Sequence, residues 1–90
     1  MTPLMGLAFT KDALDNLEGI PHKMRAQVIK KAKALILNPH ADGTKKLKGV
    51  TSDDGESVYR ERSGDYRILY VVREVEVVVL DIDHRKDVYR

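Results

Sequence analysis

Cysteine is absent from the 90-residue chain, which excludes a disulfide framework and any thiolate metal site and fits a reducing compartment. Long apolar runs are absent too, and none approaches the roughly 18 residues that a membrane span requires. The N-terminus, MTPLMGLAFT, has neither a basic leader nor a sustained apolar stretch, so no signal peptide is expected. A cytoplasmic protein without a membrane partner follows. There is no Gly-rich phosphate loop, no HExxH and no favourable Ser-His-Asp spacing. His22, His40 and His84 do not have metal-ligand spacing, so no metal and no cofactor is expected. Neither sign of charge dominates: 16 Lys and Arg against 14 Asp and Glu give a formal net charge of +2. That balance says little about nucleic acid, but the basic residues cluster in HKMRAQVIKKAK, in KKLKG and around residues 60–67, and patches that converge in space can hold phosphate.

What is present is an ordinary globular composition. Hydrophobic residues make up 42%, enough for one modest core in a single domain over residues 1–90. The apolar run Leu4 to Phe9 reads as a strand. Thr10 then suits a helix N-cap, with Asp12 in the first turn and Ala13, Leu14 and Leu17 at helical spacing up to Gly19. A second helix opens at Pro21 and carries Met24, Val28, Ala32, Leu35 and Ile36 as an apolar stripe. Asn38-Pro39 ends it, because proline disfavours helical geometry in the residue before it. Residues His40 to Glu56 read as a long polar connection. Strands follow at Ser57 to Ser63, Tyr66 to Arg73 and Val75 to Asp83, the last β-branched and nearly continuous, as in a central strand. The expected fold is α+β with the order β-α-α-β-β-β. A helical hairpin packs on one face of a mainly antiparallel four-stranded sheet.

Chemistry concentrates in SVYRERSGDYRILYVV. A two-residue turn at Gly64-Asp65 pairs Ser63 with Tyr66, Arg62 with Arg67, Arg60 with Leu69 and Val58 with Val71. One surface then carries Val58, Arg60, Arg62, Arg67, Leu69 and Val71, and the other carries Tyr59, Glu61, Ile68, Tyr70 and Val72. Opposed like charges cost roughly 0.2–1 kcal/mol, so a solvated, partly neutralised strand face competes with an anion site. Guanidinium forks suit phosphate because two donors reach two oxygens at once. The tail DHRKDVYR adds His84, Arg85 and Tyr89 beside the hairpin, and arginines with an imidazole and a phenol suit phosphodiester chemistry. An aromatic ring can also stack on an unstacked RNA base. Asp81 and Asp83 share a strand face, a pair that could hold a metal but that reads rather as a rim balancing these arginines.

The run of KKLKG, YRERSGDYRILYVV, an apolar strand and HRKDVY resembles the RelE/ParE superfamily of toxins from type II toxin–antitoxin pairs, over about residues 8–90. The resemblance implies a RelE-like fold and a ribosome-dependent mRNA endonuclease acting in the A site. In that chemistry a ribose 2′-OH attacks the adjacent phosphate without a metal. It implies catalytic roles for Arg67 on the scissile phosphate, Arg85 in the transition state, Tyr89 in orienting or stacking, and Arg60 as a basic strand residue. Lys46, Lys48, Arg62 and His84 are the substrate-binding candidates. Some RelE enzymes carry a lysine where Val58 stands here, which leaves the base role between His84 and an arginine-rich site with no conventional base. The implied partners are the ribosome, mRNA and a small acidic or amphipathic RelB-like antitoxin. The alternative within the superfamily is a ParE-like inhibitor of DNA gyrase that cleaves no RNA.

Overall fold

A computed structural model describes residues 6–40 and 43–84. The order is β1 (Gly6–Phe9), α1 (Lys11–Glu18), α2 (His22–Leu37), β2 (Lys45–Thr51), β3 (Ser57–Ser63), β4 (Tyr66–Val72) and β5 (Glu76–His84). The α+β class, the helical hairpin and the last three strands agree with the sequence reading. The strand count does not: the sheet has five strands in the order β1-β5-β4-β3-β2. The fifth, β2, lies inside the stretch read as a polar connection. Its sequence, KKLKGVT, has three lysines, an interior glycine and almost no burial, so nothing intrinsic marks it as a strand. It exists because β3 offers a free edge, on which it pairs antiparallel. Its lysines suit an outer strand, where charge discourages further pairing.

The edges of the sheet explain where the helices start. β1 runs parallel to β5 from Gly6 opposite Glu76 to Phe9 opposite Val79, then stops. At that point Thr10 Oγ1 donates to the carbonyl of Leu80 (2.6 Å) and accepts from the amide of Ala13 (3.2 Å). One hydroxyl therefore ties the sheet to the helix and caps α1. The turn between the helices is closed by Arg25, whose Nη2 donates to the carbonyls of Glu18 (3.0 Å) and Ile20 (3.1 Å). The Glu18 carbonyl is one that a helix end leaves without an intrahelical partner.

The main core lies between the helices and the sheet. Ala13, Leu17, Ile20, Val28, Ala32 and Leu35 meet Ile68, Tyr70, Val77, Val79 and Ile82. Three residues of the expected helical stripes fall outside it: Leu14 is 46% exposed, Met24 is 45% exposed and Ile36 is half-buried, because each lies on the rim of its helix. A second, smaller cluster of Val58, Val71 and Val78, flanked by Ala8, Leu47, Leu69 and Leu80, lies on the other face of the sheet. No described helix is long and apolar enough to cross a membrane.

Candidate functional site

Strand alternation sets the composition of the second face. The β3–β4 register pairs Arg60 with Leu69, Glu61 with Ile68, Arg62 with Arg67 and Ser63 with Tyr66. Gly64 turns the chain at φ +60°, a conformation that side chains disfavour. On β5, Asp83 faces Arg67 and Asp81 faces Leu69. On β2, Lys45 faces Arg60. Two rungs thus cross the sheet: Arg62–Arg67–Asp83 at its end, and Lys45–Arg60–Leu69–Asp81 one step inward. Arg60, Arg67 and Asp83 are half-buried, and Arg62 and Lys45 are exposed.

Among the described residues the salt bridges converge on Arg73, which meets Asp54, Glu56 and Glu76 near the opposite end of the strands. Arg60 and Arg67 each carry a buried Nε with no hydrogen-bond acceptor among the described residues. A buried donor without a partner costs about 1–3 kcal/mol. With that cost and the opposition of Arg62 to Arg67, an oxyanion placed over the rungs gains what the free protein forgoes.

Two carboxylates finish the sheet edges beside the site. Glu61 is 9% exposed on the helix side, and its Oε1 accepts from the Arg62 amide at 2.9 Å. Asp81 Oδ1 accepts from the Ile82 amide at 2.8 Å and from Asn16 Nδ2 at 2.5 Å. Each oxygen satisfies an amide beyond the register to which the outer strand pairs. Next to Glu61, the Tyr70 hydroxyl donates to the carbonyl of Pro39 at 2.6 Å. Burial pushes the Tyr70 hydroxyl up from 10.0 to about 12; a hydrogen bond with Thr44 opposes that shift, and the charges of Glu61 and Tyr59 add to it. The ring stacks on Tyr59 (5.8 Å, 27°), which meets His40 edge-on at 5.0 Å.

The sequence-derived candidates divide. Arg60, Arg62 and Arg67 share the open face. His84 does not: it pairs with Tyr66, on the helix side, and their rings meet edge-on at 4.9 Å. Lys46 pairs with Tyr59, a residue of the helix-side layer, so alternation places it away from the arginines. Lys48 is exposed in the irregular part of β2, where the register with β3 shifts. Arg85 and Tyr89 lie outside the described residues. Lys45, absent from the candidates, is the lysine that shares the Arg60 rung. The signal for it is the alternation of Lys45 and Leu47, meaningful only once KKLKG is known to be a strand. No group of three His, Cys, Asp or Glu among the described residues is placed to hold a metal ion. The chemistry this arrangement offers is recognition of an oxyanion by guanidiniums, next to an apolar patch.

Residues 7–89 match the sequence model of the family described as the ParE toxin of the type II toxin–antitoxin system, parDE. No curated protein matches the chain. Among solved structures, the toxin–antitoxin complex RelBE2 from Mycobacterium tuberculosis aligns with a TM-score of 0.75 at 28% identity, covering 92% of this chain and 100% of that one. The intact RelBE toxin–antitoxin complex of E. coli aligns with a TM-score of 0.70 at 26% identity, over 89% and 95% of the two chains. The archaeal RelE–RelB complex from Pyrococcus horikoshii aligns with a TM-score of 0.75 at 22% identity, over 92% and 97%, a likeness of fold.

Proposed function

This chain belongs to the ParE toxin family of type II toxin–antitoxin systems, and we propose that within it the protein is a ribosome-dependent mRNA endonuclease. The observation that carries this reading is the open-face rung of Arg62 opposite Arg67, backed by Arg60, with the Nε of Arg60 and Arg67 buried and lacking an acceptor among the described residues. A scissile phosphate supplies the missing acceptors. The likeness to RelBE complexes at 26–28% identity supports the same reading.

In this mechanism Arg67 and Arg62 grip the non-bridging oxygens, and Arg60 and Lys45 hold the adjacent backbone. The ribose 2′-oxygen attacks phosphorus, its proton leaves to a base, and the 5′-oxygen departs with a proton. The products are a 2′,3′-cyclic phosphate and a 5′-hydroxyl. Guanidiniums stabilise the charge that grows on the phosphoryl oxygens. Arg85 and Tyr89 enter through the family resemblance alone, as a second cationic group and an orienting ring. His84, on the helix side of the sheet, is not among the groups that contact the phosphate. The described part of the site gathers guanidiniums and has no evident base, so alignment of the 2′-OH carries much of the rate. Positioning of that kind can contribute about 7–11 kcal/mol, and the ribosome supplies it. The partner that silences the toxin is a small acidic or amphipathic antitoxin covering the arginines and the neighbouring Val58, Leu69 and Val71.

A second reading has its own support: the matching family is named for ParE, so inhibition of DNA gyrase by binding is the competing activity. Primer extension on mRNA with purified ribosomes, beside a gyrase supercoiling assay, separates the two. Cleavage within the A-site codon with supercoiling intact is expected. Blocked supercoiling without mRNA cleavage establishes the second reading instead.

A further inference from the structure

A groove runs between α2 and the β3–β4 turn. Two cavities form it, of about 420 and 150 Å³, which have Gln27, Ser63 and Gly64 in common. Lys30, Lys31 and Ala34 line the larger, and Met24 and Asp65 line the smaller. Met24 and Ala34 both lie on α2, and at 1.5 Å per residue their separation makes the groove about 15 Å long. Ser63 alternates with Arg62 along β3, so it faces the helices, and the groove lies on the other side of the sheet from the arginines.

We propose that this groove docks an acidic segment of a protein partner, with an apolar side chain seated between α2 and the turn and carboxylates on Lys30 and Lys31. The inference does not depend on the endonuclease reading, since the groove shares no residue with the arginine face. Three features carry it. The first is charge: α2 bears Lys23, Arg25, Lys30, Lys31 and Lys33 and no acidic residue, and Lys30 and Lys31 have no acidic partner among the described residues. The second is Ser63, which is 5% exposed and lines both cavities, while its hydroxyl has no hydrogen-bond partner among the described residues. A hydroxyl there can donate to a carboxylate or accept from a backbone amide. The third is room for an apolar anchor. Nothing lies within 4 Å of the position a Cβ would take on Gly64, and Met24 is 45% exposed at the far end. Lysine stems beside Ala34 add apolar wall while their ammoniums stay in water. A peptide fits better than a nucleic acid. The charge changes sign from Lys30 and Lys31 to Asp65, which opposes a strand with a phosphate at every step. The larger cavity has no aromatic lining on which a base could stack.

Nuclear magnetic resonance on the full chain tests this with blocked peptides as probes, alternating glutamate with leucine, glutamine with leucine, or glutamate with alanine. The first is expected to shift the amides of Gln27, Lys31, Ala34, Ser63 and Gly64. Loss of the carboxylates or of the leucines should each weaken binding there about tenfold. Lys30 and Lys31 are exposed, so replacing them does not threaten the fold. Lys30→Glu with Lys31→Glu should remove the groove shifts without affecting any at Arg60 and Arg67. Ala34→Trp, also at an exposed position, should fill the groove and remove the same shifts with the lysines intact. Oligouridylate should leave the groove amides where they are. If the acidic peptide shifts no groove amide, or shifts only Arg60, Arg62 and Arg67, the proposal is overturned. Groove binding that survives both variants, or that is equal for all three peptides, overturns it too. Groove shifts with oligouridylate as large as those with the acidic peptide would make the site a nucleic-acid contact and end the proposal in this form. None of these outcomes bears on the endonuclease reading, which rests on the other face and is decided by cleavage on ribosomes.

Discussion

Arg67 is the residue on which the most converges: it faces another arginine, it faces Asp83, and its Nε is buried without an acceptor among the described residues. Arg67→Ala should reduce single-turnover mRNA cleavage by about 10²–10³-fold, the usual effect of removing one donor to a transition-state oxyanion. The melting temperature should hold or rise slightly, since one of two opposed cations is gone. Cleavage near wild-type rates would remove Arg67 from the mechanism. Tyr70 makes a different prediction. Its hydroxyl titrates at about 12 in the folded protein against 10.0 ordinarily. A raised folded value means that its contribution is fully present below pH 10 and is lost as pH rises through 12. Urea denaturation between pH 9 and 12 should show wild type losing stability over that window. Tyr70→Phe should lose less.

Among the elements, α1 depends on a single side chain. Thr10 caps the helix and bonds the Leu80 carbonyl, so Thr10→Ala removes a cap and a link to β5 together. The expected loss is about 1–2 kcal/mol of stability by chemical denaturation, and Thr10→Ser should recover most of it. A loss no larger than that of an exposed surface substitution would show that β1–β5 pairing alone places the helix. β2 is the opposite case, an element with little of its own to hold it. Its one partly buried apolar side chain is Leu47, which joins Val58 and Val71 on the open face. Lys45, at the start of the same strand, reaches the arginine face only through its pairing with β3.

Separate groups of charges stand at the two ends of the strands. Asp53, Asp54, Glu56, Glu74 and Glu76 gather at the β2–β3 and β4–β5 turns, where Arg73 binds three of them. Arg62 and Arg67 sit about six residues along the strands, roughly 20 Å away at 3.3 Å per residue. That exceeds the Debye length of about 8 Å at physiological salt, so the two ends present separate fields. Approach to a polyanion or an acidic antitoxin should lead with the arginine end. Stopped-flow association with the antitoxin should slow about tenfold or more between 50 and 500 mM salt. Arg62→Glu should lower the low-salt rate further while changing the salt-free dissociation rate much less. An association rate indifferent to salt would mean that the apolar patch, not the charge, drives encounter.

Much of this protein is local in origin, and the sequence by itself determines it. Turn chemistry at Gly64-Asp65 and strict alternation put Arg60, Arg62 and Arg67 on one surface and Glu61 and Tyr70 on the other. Helical spacing and the Thr10 cap define α1, and the β-branched run defines β5. Both patterns are legible because neighbours in sequence impose them. Only the tertiary structure decides what depends on distant partners. KKLKGVT is a strand because the edge of β3 is free to pair, and that pairing selects Lys45 over Lys46 for the arginine face. His84 falls on the helix side because the β4–β5 register, shifted between Leu69 and Tyr70, sets it against Tyr66. The groove between α2 and the β3–β4 turn arises from how a helix packs over the end of a hairpin, and no local pattern in the chain encodes that contact.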